Sequence, residues 1–155
     1  MSDLSKKSDN NLEQSDLIEI VDGPIEVDRI IAQCQESRSG AICVFVGTTR
    51  QFTKGVETKY LEYESHREMA LAQMKLLVQE VRRQWPVNRC AAVHRLGRVD
   101  IAEPSIVVAV SSPHRKESFE ACESLVDRIK NEVPIWKREY YKDQPAQWVH
   151  PTTGT

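Results

Sequence analysis

An unbroken apolar run, Ala41–Val46, lies between the helix-ending pair Ser39-Gly40 and a glycine-containing loop, Gly47–Thr58. Six residues of this kind between two breakers read as a continuous apolar strand. Cys90–His94 and Ser105–Val110 read as two more strands, joined through the turn at Gly97. Strands this apolar need helices to cover them, and the chain supplies amphipathic segments. Leu17–Val21 alternates as a short strand, and Asp22-Gly23-Pro24 turns it into a helix carrying Val27, Ile30, Ile31 and Cys34. Lys59–Glu64 alternates as a strand with one wet face. Ser65 and Glu68 have capping-box spacing, opening a helix with Ala70, Met74, Leu77, Val81 and Trp85 on one side before Pro86 ends it. A third helix has Ser112 as its cap and Pro113 as its first residue. It carries a stripe of Phe119, Cys122, Leu125 or Val126, and Ile129, and stops before Pro134. Trp148-Val149 adds a short terminal strand.

That order predicts an α+β fold: a single-domain sandwich with a largely antiparallel sheet covered by helices on one side. At 155 residues and 17.7 kDa the chain fits one domain, spanning 17–149. Residues 1–16 are polar and charged and are expected to be disordered, and 150–155 form a short C-terminal tail. A formal net charge of −2 argues against general binding to nucleic acid or anionic membrane, so any basic site must be local. No apolar run approaches a membrane span, and the N-terminus resembles neither a secretory signal nor a mitochondrial presequence. A cytosolic protein is expected.

Cys34, Cys43, Cys90 and Cys122 form no C-x-x-C pair and lack zinc-ligand spacing. They fall in apolar runs or stripes and read as small buried hydrophobes rather than persulfide carriers. His66, His94 and His150 carry no assigned chemistry, and Trp136 reads as packing. The segment 111–139 is different. His114 and Arg115 stand at the start of the third helix, where free N–H groups favour an anion, and Lys130, Lys137 and Arg138 follow at its other end. Taken alone these are ordinary surface charges, or a basic complement to the helix dipole. The two clusters can meet only if the chain beyond Pro134, or another strand, folds back between them.

Five blocks then occur in order: Val44-Phe45-Val46-Gly47-Thr48-Thr49-Arg50; Leu61-Glu62-Tyr63-Glu64 with Met69-Ala70; His94-Arg95-Leu96-Gly97; Ser111-Ser112-Pro113-His114-Arg115; and Pro134-Ile135-Trp136-Lys137-Arg138-Glu139. Together they resemble the large, catalytic subunit of molybdopterin synthase over roughly residues 17–149. The resemblance implies a hammerhead-like α/β fold and a sulfurtransferase of molybdenum cofactor biosynthesis. Its substrate would be cyclic pyranopterin monophosphate, which becomes molybdopterin. Sulfur would arrive as the thiocarboxylate at the Gly-Gly C-terminus of a small ubiquitin-like carrier subunit. The implied assembly is a heterotetramer with a central homodimer of this subunit, and no cofactor is required.

A phosphate, a thiocarboxylate and the oxyanion formed on acyl release all ask for positive charge and fixed donors. By resemblance, Lys130 and then Lys137 are the catalytic candidates. Arg50, His114, Arg115, Lys130, Lys137, Arg138 and Glu139 are the substrate-binding set. Arg50, His114, Arg115, Lys130 and Lys137 are therefore expected to converge on one pocket. The loop Gln51–Thr58 has no assigned part. A non-catalytic scaffold that captures a carboxylate-ended or acidic tail is the alternative. A single-stranded RNA binder would need strand-borne aromatics and a broad basic face, which the pattern does not supply.

Overall fold

A computed structural model describes residues 16–149. Both expected tails, apart from Asp16, and His150 lie outside the described residues. Asp16 itself is tied in: its carboxylate accepts from the Arg82 guanidinium and from the backbone N–H of Cys90.

The first sheet has the order β1-β5-β7-β2, formed by Leu17–Val21 (β1), Arg89–Arg95 (β5), Pro104–Ser112 (β7) and Ala41–Thr48 (β2). β1 runs parallel to β5, and the other pairings are antiparallel. Alternation along β7 explains its unbroken apolar sequence. Ile106, Val108 and Val110 face one core with the helices Arg67–Gln84 (α2) and Arg115–Glu132 (α3). Val107 and Ala109 face a second core with the helix Val27–Cys34 (α1). Helices thus cover both faces of this sheet, where one-sided cover was expected. A strand apolar at successive positions requires that arrangement.

A second sheet is built around Val56–Ser65 (β4), again within the α+β class. β4 pairs with Ile135–Tyr141 (β8) on one side and with Gly97–Asp100 (β6) on the other. Phe52–Thr53 (β3) folds onto its start, and Gln147–Val149 (β9) borders β8. β3, β6 and β8 do not emerge from the hydrophobic pattern. β3 and β6 are very short, and β8 carries Lys137 and Glu139 on its inward face, which hides its period of two. Lys54 and Gly55, at φ 51° and 79°, make the tight turn between β3 and β4.

Three local expectations are corrected. Helix α2 begins at Arg67 after His66, without a side-chain cap, and Ser65 Oγ is buried without a hydrogen-bond partner, so the capping box does not form. Helix α3 begins at Arg115, not Pro113. Ser112 instead braces the preceding turn, donating to the His114 carbonyl at 2.6 Å with its oxygen 2.7 Å from Ser118 Oγ. Phe119 is 61% exposed, because the buried stripe of α3 is Ser118, Ala121, Cys122, Leu125, Val126 and Ile129. Serine and alanine at the head of that stripe suit a close helix–sheet approach, and Phe119 is turned outward.

Candidate active site

A cleft of about 290 Å³ opens where the two sheets meet at the C-terminal end of α3. Arg50 enters it from the loop after β2, Lys130 from the last turn of α3, and Lys137 and Glu139 from β8. Pro134 is what brings the last two in. It ends α3, and β8 then runs antiparallel to β4 with Ile135, Lys137 and Glu139 turned to the cleft. The fold-back that the sequence requires is therefore strand β8.

Arg50 is placed by backbone ties. The register of β2 shifts between Gly47 and Thr48. Thr49 then donates its N–H to the Glu103 carbonyl at 3.2 Å and accepts from Ala102 N–H at 2.9 Å. Glu103 also pairs with Arg95 at 2.9 Å, which fixes that turn against β5. Gly47 makes the close approach possible, since a Cβ there would lie 2.6 Å from Ile106 Cγ2. Lys130 Nζ sits over the Phe45 ring, 5.3 Å from its centroid, so the ring face steadies its charge.

Glu139 is 5% exposed and accepts from Thr58 Oγ1 at 2.5 Å and from the Tyr141 hydroxyl at 3.2 Å. It makes the floor of the cleft anionic beneath three cations. Burial holds the Lys137 ammonium below the ordinary lysine range. Glu139 opposes that shift, while Arg50 and Lys130 add to it. A lysine in such surroundings delivers compact positive charge and exchanges a proton more readily than a surface lysine.

The remaining expected site residues lie elsewhere in the chain. His114 and Arg115 stand at the opposite end of α3 from Lys130, about 22 Å away at the helical rise of 1.5 Å per residue. The five expected groups thus do not share one pocket within a single copy. Arg138 alternates to the outer face of β8, over the rings of Tyr140 and Trp148. Trp136 is on that outer face too, 45% exposed rather than packed, beside a separate shallow groove with Glu64, Trp148 and Val149.

His94 is the residue that sequence reasoning passed over. It follows Cys90 and Ala92 on the α3-facing side of β5 and lines the cleft where helical cover ends. Its ring packs edge-on to Tyr63 with centroids 4.9 Å apart. Tyr63 donates to Ser105 Oγ at 3.3 Å, and Ser105 to the Gly47 carbonyl at 3.4 Å. The available signal was its strand register: every second residue from Cys90 faces α3, and His94 is the first polar one. The cysteines keep the expected structural part. Cys34, Cys90 and Cys122 are buried, and Cys43 is half-buried.

Residues 20–132 match the family described as MoaE protein. The molybdopterin synthase catalytic subunit of Halalkalibacterium halodurans is 43% identical over 130 residues, covering 84% of this chain and 83% of that protein. The crystal structure of molybdopterin synthase from Staphylococcus aureus superposes with a TM-score of 0.81 at 39% identity, over 85% of this chain and 96% of that one. A chain from the complex of subunits 1 and 2 of molybdopterin-converting factor from Helicobacter pylori shares the fold, with a TM-score of 0.67 at 21% identity, over 84% and 91%. The chain belongs to the MoaE protein family and is an enzyme of the molybdopterin synthase catalytic-subunit type.

Proposed function

We propose that this member of the MoaE protein family converts cyclic pyranopterin monophosphate to molybdopterin, taking sulfur from the C-terminal thiocarboxylate of a small partner subunit. One observation carries the reading: Arg50, Lys130 and Lys137, from three separate elements, meet in one cleft over the buried carboxylate of Glu139. Three cations in one half-enclosed space suit two anionic reactants, a phosphate ester and a thiocarboxylate. Arg50 matches phosphate oxygens with its planar fork. Lys130 and Lys137 offer charge to the oxyanion that forms when the acyl group is released. Glu139 holds the lysines' charge in place by attraction and is itself fixed by Thr58 and Tyr141.

His114 and Arg115 reach such a cleft only from a second copy, which accords with the central homodimer that family resemblance implies. Arg138, on the outer face of β8, belongs in this reading to contacts between subunits rather than to the pterin. A small carrier subunit then docks on each copy, giving a heterotetramer. The solved pairing of subunits in the H. pylori complex supports that assembly by analogy of fold. A cytosolic location accords with this assembly, and no helix among the described residues is long and apolar enough to cross a membrane.

Incubation with thiocarboxylated carrier and pyranopterin monophosphate tests the reading. A dithiolene product is expected. Retention of the carrier's thiocarboxylate with the pterin unchanged overturns it.

A further inference from the structure

Arginine and lysine side chains offer only donors, so Arg50, Lys130 and Lys137 recognise anions and say nothing about a heterocycle. Glu139 is already engaged by Thr58 and Tyr141. His94 has the complementary chemistry. Its Nδ1 lies 2.8 Å from the Arg95 carbonyl oxygen, which can only accept, so Nδ1 carries the proton. Burial pushes the imidazole down to about 4, with the Arg95 carbonyl opposing and the Lys130 charge adding to the effect, so the ring is neutral at physiological pH. Nε2 is then a bare acceptor, and it has no hydrogen-bond partner among the described residues. The ring itself is held by Tyr63, which is anchored through Ser105 to Gly47.

We infer that His94 is a substrate-positioning residue whose Nε2 accepts a hydrogen bond from an N–H donor of the bound heterocycle. The inference rests on the pterin reading given above and adds to it the source of selectivity for the ring over a bare phosphate. The three cations by themselves would hold any small phosphate ester. A fixed neutral acceptor at its wall favours one whose ring presents N–H groups at the right distance, because any other ligand leaves that acceptor unpaired in a half-enclosed site, which is costly.

Two substitutions separate this from a structural role. His94→Asn keeps a donor near the Nδ1 position for the Arg95 carbonyl but removes the Nε2 acceptor. His94→Gln keeps an acceptor near the Nε2 position and gives up the Arg95 bond. With full-length chain, thiocarboxylated carrier and pyranopterin monophosphate, His94→Asn is expected to raise KM for the pterin roughly tenfold, with kcat and KM for the carrier little changed. His94→Gln should recover most of that loss. Inhibition by inorganic phosphate should be the same in all three proteins. The opposite order, Asn harmless and Gln damaging, means that the Arg95 bond is what matters and overturns the proposal. A fall in kcat at constant KM also overturns it, assigning His94 to the orientation of Lys130.

A measurement on the wild type does not depend on variant folding. The ¹⁵N resonance of His94 Nε2 should have an unprotonated shift and move on addition of the pterin but not of inorganic phosphate. An Nε2 that is protonated, or indifferent to the pterin, ends the proposal. Wild-type protein that turns over the pterin while His94→Asn behaves identically refutes this inference alone. Wild-type protein without turnover refutes the pterin reading and this inference with it.

Discussion

Thr58 Oγ1 donates to Glu139 Oε1 at 2.5 Å across the β4–β8 pairing, joining residues that are 81 apart in the chain. The bond holds a nearly buried carboxylate pointed at the cleft, with Tyr141 on its other oxygen at 3.2 Å. Its consequence is electrostatic. Lys137 sits two residues before Glu139 on the same face of β8, and the charge of Glu139 works against the burial that lowers the lysine.

Glu139→Gln therefore moves Lys137 further down, since it removes the influence that raises its pKa. If Lys137 acts as a cation, the rate falls as pH rises through that pKa. The alkaline limb of the pH–rate profile should then shift to lower pH in Glu139→Gln. Lys130→Ala has the opposite sign, because it removes a neighbouring positive charge, and its residual activity should show the limb at higher pH. Limbs that stay put in both variants would show that Lys137 does not control the profile.

Gly47→Ala tests the geometry that seats Arg50. An added Cβ would stand 2.6 Å from Ile106 Cγ2 and 3.2 Å from the Phe45 ring, and Phe45 is the ring beneath Lys130. Overpacking of this kind costs about 1–3 kcal/mol. Urea denaturation should register that loss. Turnover should fall further than stability alone explains, since both Phe45 and the strand leading to Arg50 must move. Unchanged stability with unchanged KM would mean that Ile106 yields freely.

The apolar strands and the three helices among the described residues were legible in the sequence because their side chains repeat at the periods that burial imposes. Lys130 and Lys137 were legible only as residues near a helix end. Their convergence with Arg50 depends on strand β8, whose inward positions are charged and so carry no hydrophobic signature. His94 was hidden for the converse reason: a histidine in an apolar strand looks like a core residue until the helix covering that strand is seen to end. Phe119 misled because a large apolar side chain dominates a helical stripe on paper, while the actual contact face favours Ser118 and Ala121. The separation of His114 from Lys130 followed from helix length alone, about 1.5 Å per residue.

The four thiols should be dispensable for sulfur transfer. Burial pushes Cys34 up to about 11 and Cys90 up to about 12, and raises Cys122 as well, so none of the three is a thiolate at neutral pH. Cys34 and Cys122 also sit near backbone carbonyls, those of Ala109 at 3.9 Å and Val108 at 3.7 Å, as weak donors. Single replacements of Cys34, Cys43, Cys90 and Cys122 by Ala should leave turnover near wild type, with modest packing losses seen in thermal unfolding. Folded protein with abolished turnover in any one of them would restore a persulfide relay.

Lys130 separates catalysis from capture. Its ammonium stands on the Phe45 ring at the edge of the cleft where α3 ends, open to reactants arriving from solvent. A carrier tail must bring its acyl carbon to the pterin at such a boundary, so a cation there meets both reactants. Stabilising the oxyanion of acyl release by one well-placed donor is worth about 3–4 kcal/mol. Lys130→Ala should accordingly lower single-turnover product formation roughly a hundredfold or more, while carrier affinity and unfolding stay close to wild type. Lys130→Arg should rescue little, because a planar fork does not reproduce the compact point charge of an ammonium. Weakened carrier binding with an intact chemical rate would make Lys130 a docking residue. A near-wild-type rate in the alanine variant would move the chemistry to Lys137, the lysine whose burial already sets it apart.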